Sequence, residues 1–316
     1  MPKLSVQNLA VGYNNQKIIK DCSFSVAPGE ILVILGASGD GKSTLLKAIA
    51  GQLPRMNGSI LFDDRPVLDP TEKLVPGHAL IKLVNQDFNL DLYHTVEENI
   101  RLRLLSFDEE YRSQRVSTLL RLTNLTPYSN QKATNLSGGQ QQRLAIARAL
   151  ADEPELVLLD EPFNQLDFQT KNKIATHVKG YLKKNNIGAI MVTHNGIEAL
   201  EWADRIMYMR KGKIVREAAP VTFYNQPQSI QEARFFGTIN ALTVNEKKVY
   251  FRPSFFSTEK DEVHSLEIPL KFKEKRHLGW YSAFMFTSNK QSVLLYSTSD
   301  ISELSKAYIR IIEIND

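Results

Sequence analysis

The stretch that decides the fold reads Ile31-Leu32-Val33-Ile34-Leu35 followed by Gly36-Ala37-Ser38-Gly39-Asp40-Gly41-Lys42-Ser43-Thr44. The first part is a short, continuous apolar run, which indicates a strand buried on both faces of a parallel sheet. The second part matches the Gly-x-x-x-x-Gly-Lys-Ser/Thr pattern of a phosphate-binding loop. Residues 45–50 continue as a good helix start, so the positive end of that helix would face the loop. Strand, loop and helix together predict an anion-binding element.

The residue types of this loop each have a chemical reason. Its glycines let successive backbone N–H groups curl around phosphate oxygens. Lys42 would neutralise the β- and γ-phosphates, and Ser43 would bind Mg²⁺. A chance match is the alternative, but the buried strand directly before the loop is the context that the mechanism requires. We therefore expect residues 36–44 to bind a nucleotide.

Two further apolar runs, 156–159 and 189–192, are typical of buried parallel strands of the same kind. Strands alternating with helices predict an α/β fold with a mostly parallel sheet covered on both faces. The helical patterns have apolar residues three or four positions apart: Val96, Ile100 and Leu104; Val116, Leu119 and Leu120; and Ile146, Ala149 and Leu150.

Polar residues follow both of these runs. Asp160-Glu161-Pro162 comes after the first, and His194 comes after the second. Neighbouring side chains at a strand end point to opposite sides, so Asp160 can hold Mg²⁺ while Glu161 accepts a proton from an attacking water. A polar turn and an ordinary surface histidine are the alternatives. The phosphate loop upstream favours a catalytic interpretation of Glu161 and His194.

Composition excludes several other classes. Lys and Arg (39) nearly balance Asp and Glu (35), and the absence of a dense basic run argues against a nucleic-acid partner. Cys22 is the single cysteine, so an internal disulfide cannot form. The first residues lack the apolar core of a signal peptide, and no apolar stretch approaches the length of about 20 residues that spans a bilayer. At a membrane, another chain would have to supply the spanning helices.

With these residues in order, the chain resembles the ATP-binding subunits of ATP-binding-cassette transporters. The distinguishing segment is Leu136-Ser137-Gly138-Gly139-Gln140, which matches that family's signature motif. Ser137 and the amides of the two glycines would form a second phosphate-binding helix start. The alternative is an ordinary turn in which Ser137 only caps the helix.

The resemblance implies roles for three more residues. Tyr13 lies where an aromatic ring stacks on adenine, and Gln86 lies where a glutamine senses Mg²⁺ and the attacking water. Asp167, in Asn164-Gln165-Leu166-Asp167, falls in the loop that communicates between two subunits. The alternatives are a strand aromatic, a surface glutamine and a helix cap.

The resemblance also implies an assembly. ATP and Mg²⁺ would lie between the phosphate loop of one cassette and the signature of a second, most simply in a homodimer. The cassettes would sit on the cytoplasmic face of the cell membrane beneath permease subunits and, in an importer, work with a solute-binding protein. ATP would close the dimer and hydrolysis would open it. An exporter or lipid-trafficking ATPase is the main alternative, and a cassette acting on ribosomes or DNA is a lesser one.

The resemblance implies a cassette domain over residues 1–237, with an antiparallel β subdomain and a helical subdomain at about 88–150. Residues 238–316 are predicted to form a small β-rich, OB-like domain, because Leu266, Ile268, Leu270 and Phe272 alternate with polar residues. Further strands are predicted at 292–296 and 307–314, and Trp280, Tyr281, Phe284 and Phe286 are expected in the core. Three features resemble the importer branch of this family, which handles sugars, polyamines, iron and inorganic anions. They are Phe163, the segment Phe251-Arg252-Pro253-Ser254, and residues 220–237, which we take as a connection between the domains. The second domain is expected to be regulatory or to stabilise a dimer.

Overall fold

The computed structural model describes residues 3–14 and 16–314. It divides into two compact units, one ending at Ala219 and the other beginning at Pro220. The boundary predicted from sequence lies at residue 237, so the structure places the segment 220–237 with the second unit. That segment is not a connection but contains two short helices, whose carbonyl oxygens accept hydrogen bonds from the buried side chain of Arg252.

The first unit is built on a six-stranded sheet in the order β10-β9-β3-β8-β7-β6, with β10 antiparallel at one edge and the other neighbours parallel. A second, antiparallel sheet has the order β2-β1-β4-β5. The strands are β1 (Leu4–Tyr13), β2 (Gln16–Val26), β3 (Ile31–Leu35), β4 (Arg55–Phe62), β5 (Arg65–Pro66), β6 (Ile81–Val84), β7 (Leu156–Asp160), β8 (Gly188–Thr193), β9 (Arg205–Arg210) and β10 (Lys213–Ala218).

The three apolar runs predicted as strands are β3, β7 and β8, and they lie side by side in the order β3-β8-β7. Every residue of the three strands is buried, as their continuous apolar sequence requires. One hydrophobic core joins both sheets of this unit to the helix after β3, through residues such as Leu9, Ile34 and Leu45. The phosphate-loop segment therefore rests on a rigid base.

Helices cover the sheet and form a separate cluster between β6 and β7. They are α1 (Lys42–Ile49), α2 (Val96–Arg101), α3 (Glu109–Leu122), α4 (Gly138–Ala151), α5 (Phe168–Lys184) and α6 (Gly196–Trp202). Thr95 and Glu98 form a capping box that starts α2, and Leu104 lies in a short 3-10 turn after it. The predicted helical patterns are thus confirmed. None of the described helices is both long enough and apolar enough to cross a membrane.

The second unit begins with α7 (Pro220–Asn225) and α8 (Ile230–Phe235), and the rest is β-rich as predicted. Its small antiparallel sheets have the orders β11-β12, β13-β18-β14 and β15-β16-β17 and share one core, which includes Phe251, Phe284 and Ile309. The strands are β11 (Asn240–Val244), β12 (Lys247–Phe251), β13 (Phe256–Ser257), β14 (Leu266–Pro269), β15 (Lys271–His277), β16 (Ser282–Ser288), β17 (Gln291–Ser297) and β18 (Lys306–Ile309).

Three details of this unit differ from the sequence-based expectation. The alternating run at 266–273 is two strands, because the chain leaves the sheet of β18 after Pro269 and joins β16 from Lys271. The strand predicted at 307–314 ends at Ile309, with a separate bridge at Ile312. Phe284 and Phe286 are fully buried, but Trp280 is 81% exposed because it sits in the hairpin turn between β15 and β16.

Candidate active site

The candidate site lies at one edge of the parallel sheet, where the carboxyl ends of β3, β8, β7 and β6 meet. The parallel registers pair Leu35 with Thr193, Val192 with Asp160, and Val84 with Leu159. The residues that follow these strands therefore emerge together. They are the phosphate loop, His194, Glu161 and Gln86, which the chain separates by up to about 150 positions. This edge is where open α/β sheets bind ligands.

The phosphate loop folds around the start of α1. Gly41 precedes the helix with φ of 95°, and a side chain there would come within 2.9 Å of Ile19 on β2, so glycine is required. Lys42 is 6% exposed, and its Nζ donates to the carbonyl oxygens of Gly36 and Ala37, each at 2.9 Å. Burial lowers the pKa of Lys42, while neighbouring carboxylates, foremost that of Glu161, favour its charged form. An incoming phosphate would supply the stronger partner.

Asp40, predicted to bind nucleotide with the rest of the loop, turns its side chain into the protein. Its carboxylate accepts hydrogen bonds from the backbone N–H groups of Ala37 and Lys211, both at 2.8 Å. Its own carbonyl oxygen accepts from Gly212 N at 3.0 Å. Asp40 thus fastens the phosphate loop to the β9–β10 hairpin, and only its backbone remains to face a phosphate.

Asp160 ends β7 beside the start of α1. Burial raises the pKa of its carboxyl group, although a hydrogen bond with Ser43 opposes the shift. One carboxylate oxygen, Oδ1, is buried without a hydrogen-bond partner among the described residues. A hard divalent cation would satisfy this oxygen, and oxygen ligands such as carboxylate and hydroxyl are those that Mg²⁺ prefers. The residues present therefore fit a magnesium ion.

Glu161 has an unusual backbone and two side-chain partners. Its φ is 49°, in the left-handed region that residues other than glycine seldom adopt. Its Oε1 lies 3.0 Å from Nδ1 of His194, and its Oε2 accepts a hydrogen bond from the Asn164 side-chain amide. Strained backbone of this kind clusters at functional sites. The predicted base and the predicted histidine are thus in direct contact, whereas the contact with Asn164 was not anticipated.

Gln142 is a further residue that sequence reasoning missed. It lies on α4, is 3% exposed, and donates through Nε2 to the carbonyl oxygen of Glu161 at 3.1 Å. Its Oε1 accepts from Gln165 N at 3.2 Å. The side-chain amide of Gln142 therefore holds both Glu161, whose backbone is left-handed, and the loop that follows it. The signal available in the sequence was its place two residues after the signature segment.

The signature segment opens α4 as predicted. Ser137 is the N-cap and forms a capping box with Gln140, so the capping alternative raised from sequence is also real. Gly139 is needed because a side chain there would lie 2.9 Å from the carbonyl oxygen of Gln165. The segment lines a hollow of about 390 Å³ together with residues 165–170. The signature segment and residues 165–170 thus adjoin each other within one chain. The phosphate loop after β3 does not line this hollow.

Three predicted residues have more peripheral positions. Tyr13 ends β1 and is 45% exposed. Gln86 follows β6 and is exposed. Asp167 caps α5 by accepting from Thr170 N at 3.0 Å, which lowers the pKa of its carboxyl group. Phe163 is 1% exposed and packs against Trp202, so its place in the core alone explains an aromatic residue there.

A cleft of about 450 Å³ lies between β6 and the helical cluster. Its lining includes Phe88 and Asn89, which follow Gln86, and the polar residues His78, Lys82, Arg103, Arg148 and Asp152. The carboxylate of Asp152 forms an ion pair with Nζ of Lys82 at 2.5 Å and accepts a hydrogen bond from Nε of Arg103 at 3.0 Å. Burial alone would raise the pKa of Asp152, but these hydrogen bonds outweigh it and hold the pKa below its usual range.

Comparison with known proteins identifies the family of this chain. Residues 19–164 match the family model described as ABC transporter. The chain is 36% identical over 307 residues to the spermidine/putrescine import ATP-binding protein PotA of Bacillus cereus, covering 96% of this chain and 90% of that protein. It is 37% identical over 246 residues to the Fe(3+) ions import ATP-binding protein FbpC 2 of Haemophilus influenzae, covering 77% of this chain and 69% of that protein.

Solved structures give the same class. The ATP-binding cassette MJ0796, a dimer bound to ADP and Pi in a post-hydrolysis state, superposes with a TM-score of 0.62 and 31% identity over 69% of this chain and 98% of that one. CbiO1 of Clostridium perfringens, part of the transporter complex cbiONQ, superposes with a TM-score of 0.62 and 28% identity over 69% of this chain and 89% of that one. The chain therefore belongs to the ABC transporter family. It is an ATPase subunit that powers a membrane transporter, as predicted.

Proposed function

We propose that this chain is the ATP-hydrolysing subunit of a solute importer. The observation that carries the proposal is the alignment with PotA of Bacillus cereus, which spans 96% of this chain and so includes residues of both units. FbpC 2 is likewise named for import. These names favour import over the export or lipid-trafficking alternatives. Because the relative aligned over both units is named for spermidine and putrescine, a polyamine is the first solute to test.

In the proposed chemistry, each group at the sheet edge has one task. The loop amides and Lys42 hold the β- and γ-phosphates. Ser43 and Asp160 would hold Mg²⁺ together with Gln86, and the ion would neutralise charge on the phosphate oxygens. Glu161 accepts a proton from the attacking water. His194 holds the Glu161 carboxylate and would contact a γ-phosphate bound by the loop.

The remaining signature residues serve a second subunit. Ser137 caps Gln140, which leaves the first two amides of α4, those of Gly138 and Gly139, as donors for a γ-phosphate. Because they adjoin residues 165–170 and not the chain's own phosphate loop, the nucleotide they meet would be held by another copy. Asp167 would contact that copy, and Tyr13 would stack on the adenine of the nucleotide in its own loop.

The partner of the helical cluster would be a permease at the cytoplasmic face of the membrane. The cleft of about 450 Å³ is adjacent to the segment after Gln86, so a permease element seated there would act on a residue close to the attacking water. Exposed apolar side chains belong to the same helical cluster, among them Leu92, Tyr93, Leu102 and Leu105. A solute-binding protein would complete an importer. The second unit would regulate the assembly or stabilise its dimer.

The catalytic proposal is tested by Glu161→Gln and Lys42→Ala. Glu161→Gln should bind ATP normally and hydrolyse it at least about 100-fold more slowly, because the proton acceptor is lost. Lys42→Ala should bind ATP poorly. Glu110→Gln, an exposed carboxylate change on α3, is the matched control and should keep normal turnover. Normal turnover by Glu161→Gln would remove Glu161 from the role of base.

The transport proposal is tested by identifying what copurifies with the chain. Glu161→Gln with ATP should stay in a closed dimer, so it is purified from native membranes and its companions are identified by mass spectrometry. A permease with a solute-binding protein that binds spermidine or putrescine is the expected result. A permease without such a protein would overturn import, and ribosomal or DNA-bound companions would overturn transport.

A further inference from the structure

An ion pair between buried Glu198 and partly buried Lys171 lies next to the strand end that carries His194, and it has no part in the chemistry described so far. Glu198, on α6, is 3% exposed. Its Oε2 accepts a hydrogen bond from the Thr193 hydroxyl at 2.6 Å, and its Oε1 accepts one from Nζ of Lys171. Carboxylates are seldom buried unless they are paired, because losing water costs several kcal/mol. The pair therefore invites an explanation beyond the folding of α6.

The two partners of Glu198 connect it to both sides of the active site. Thr193 ends β8 immediately before His194, and its hydroxyl oxygen also accepts from Asn195 N at 3.0 Å. The hydroxyl of Thr193 thus ties the residue before His194 to the backbone N–H of the residue after it, and Glu198 orients that hydroxyl. Asn195 in turn caps α6 by accepting from Ile197 N at 2.9 Å.

On the other side, Lys171 lies in the first turn of α5. Its backbone N–H donates to the carbonyl oxygen of Asp167 at 2.8 Å. Asp167 ends the loop in which Asn164 holds the Glu161 carboxylate. The contacts therefore connect His194, through Thr193, Glu198 and Lys171, to the loop that carries Asn164. At the far ends of this series, His194 and Asn164 contact the two carboxylate oxygens of Glu161.

We propose that Glu198 is a positioning residue for His194, and that its pairing with Lys171 keeps the loop of His194 and the loop 164–167 in register around Glu161. This inference rests on the catalytic role proposed for Glu161 and His194. Glu198 is buried and acts through its neighbours. It acts by holding the imidazole where Nδ1 meets Glu161 at 3.0 Å, a distance that a small shift of β8's end would change.

The measurable consequence is a loss of turnover without a loss of ATP binding. Displacing a catalytic group by about 1 Å can cost up to about 100-fold in rate, so we expect Glu198→Gln to lower kcat about tenfold. The KM for ATP should change less than about twofold, because the side-chain oxygens of Glu198 accept from Thr193 and Lys171 and not from the phosphate loop. Thr193→Val, which removes only the hydroxyl, should have the same effect. Glu201→Gln, an exposed change on the same helix, should have none.

The decisive test is a double-mutant cycle with His194→Ala. If Glu198 acts through His194, Glu198→Gln should lower kcat about tenfold in the wild type and less than about twofold in the His194→Ala background. An equal loss in both backgrounds would overturn the inference while leaving the proposed function intact. Full turnover by His194→Ala alone would instead overturn the role of His194 on which the inference rests.

Stability must be separated from positioning, because Lys171 loses its buried partner in Glu198→Gln. The double variant Lys171→Met/Glu198→Gln removes both charges, while the amide oxygen introduced on α6 can still accept from Thr193. It should melt within a few degrees of the wild type and keep the low kcat of Glu198→Gln, because the pairing between residues 171 and 198 is still absent. If its kcat returns to the wild-type value, the loss in Glu198→Gln comes from the unpaired charge of Lys171 and the inference is wrong.

Discussion

Arg252 is the residue whose removal has the most calculable effect on the second unit. It is 1% exposed and directly follows β12. Its guanidinium donates to Tyr224 O at 3.1 and 3.0 Å, to Ala233 O at 3.3 Å and to Phe236 O at 3.4 Å. It also lies 4.0 Å from the centre of the Tyr224 ring. These carbonyls are at the C-terminal ends of α7 and α8, where a cation complements the helix dipole.

The proposed perturbation is Arg252→Met, which keeps an apolar stem and removes the charge. The two short bonds to Tyr224 contribute about 2 kcal/mol, the two longer ones about 1 kcal/mol together, and the cation–π contact about 1 kcal/mol. These values are already net of the hydration that the guanidinium loses on burial, a loss that also lowers its pKa, and the apolar side chain of methionine restores about 1 kcal/mol of burial in the same space. We therefore expect the second unit to lose about 3 kcal/mol of stability, which for a unit of this size lowers its Tm by more than about 10 °C.

Hydrogen exchange followed by mass spectrometry measures this loss in the full chain. Amides of β16 and β17 that exchange only when the unit unfolds should exchange roughly 100-fold faster, since each 1.4 kcal/mol is tenfold. Arg234→Met is the control, because Arg234 is exposed on α8. If Arg252→Met exchanges like Arg234→Met, the clamp on α7 and α8 does not stabilise the unit and the reasoning is refuted.

Three further predictions concern the first unit. Gln142→Leu should lower kcat about tenfold at unchanged KM, because the carbonyl oxygen of Glu161, a residue with left-handed backbone, loses its hydrogen bond. Steady-state kinetics that give the same kcat for Gln142→Leu and the wild type would contradict this. Asp40→Ala should raise the KM for ATP about tenfold, because the loop loses its tie to Lys211 N; a lower KM would show that repulsion between Asp40 and the phosphates is the larger effect. The folded-state pKa of Asp152 is depressed, so its stabilisation is present above the usual carboxyl pKa and is lost as pH falls below about 4. Urea unfolding should therefore show the stability gap between wild type and Asp152→Asn closing with falling pH, and a constant gap would refute it.

Local sequence was sufficient to predict which polar groups meet at the edge of the sheet. Apolar runs long enough for a buried strand predict β3, β7 and β8, and chain direction places the polar residues after each run at one edge. Lys42, Asp160, Glu161 and His194 could therefore be predicted as neighbours. The signature segment and its cap were equally readable, because capping depends on residues three positions apart.

Sequence by itself determined less in the second unit. The alternating run at 266–273 has the same pattern whether it is one strand or two, and only the partners of Pro269 and Lys271 divide it. The placement of 220–237 was also out of reach, because it depends on Arg252 meeting carbonyls up to 28 residues away. A helix-end carbonyl has no signature in sequence.

The motifs, the strands and the class of chemistry were thus determined by the sequence, since each rests on contacts within a few residues or on the common direction of parallel strands. Tertiary structure alone decided which side chains hold that chemistry in place. Asp40 meets Lys211, Gln142 meets Glu161, and Lys171 meets Glu198 across separations of 171, 19 and 27 residues. Buried polar groups must find partners wherever packing brings a complementary atom, and packing over such separations is a property of the whole fold.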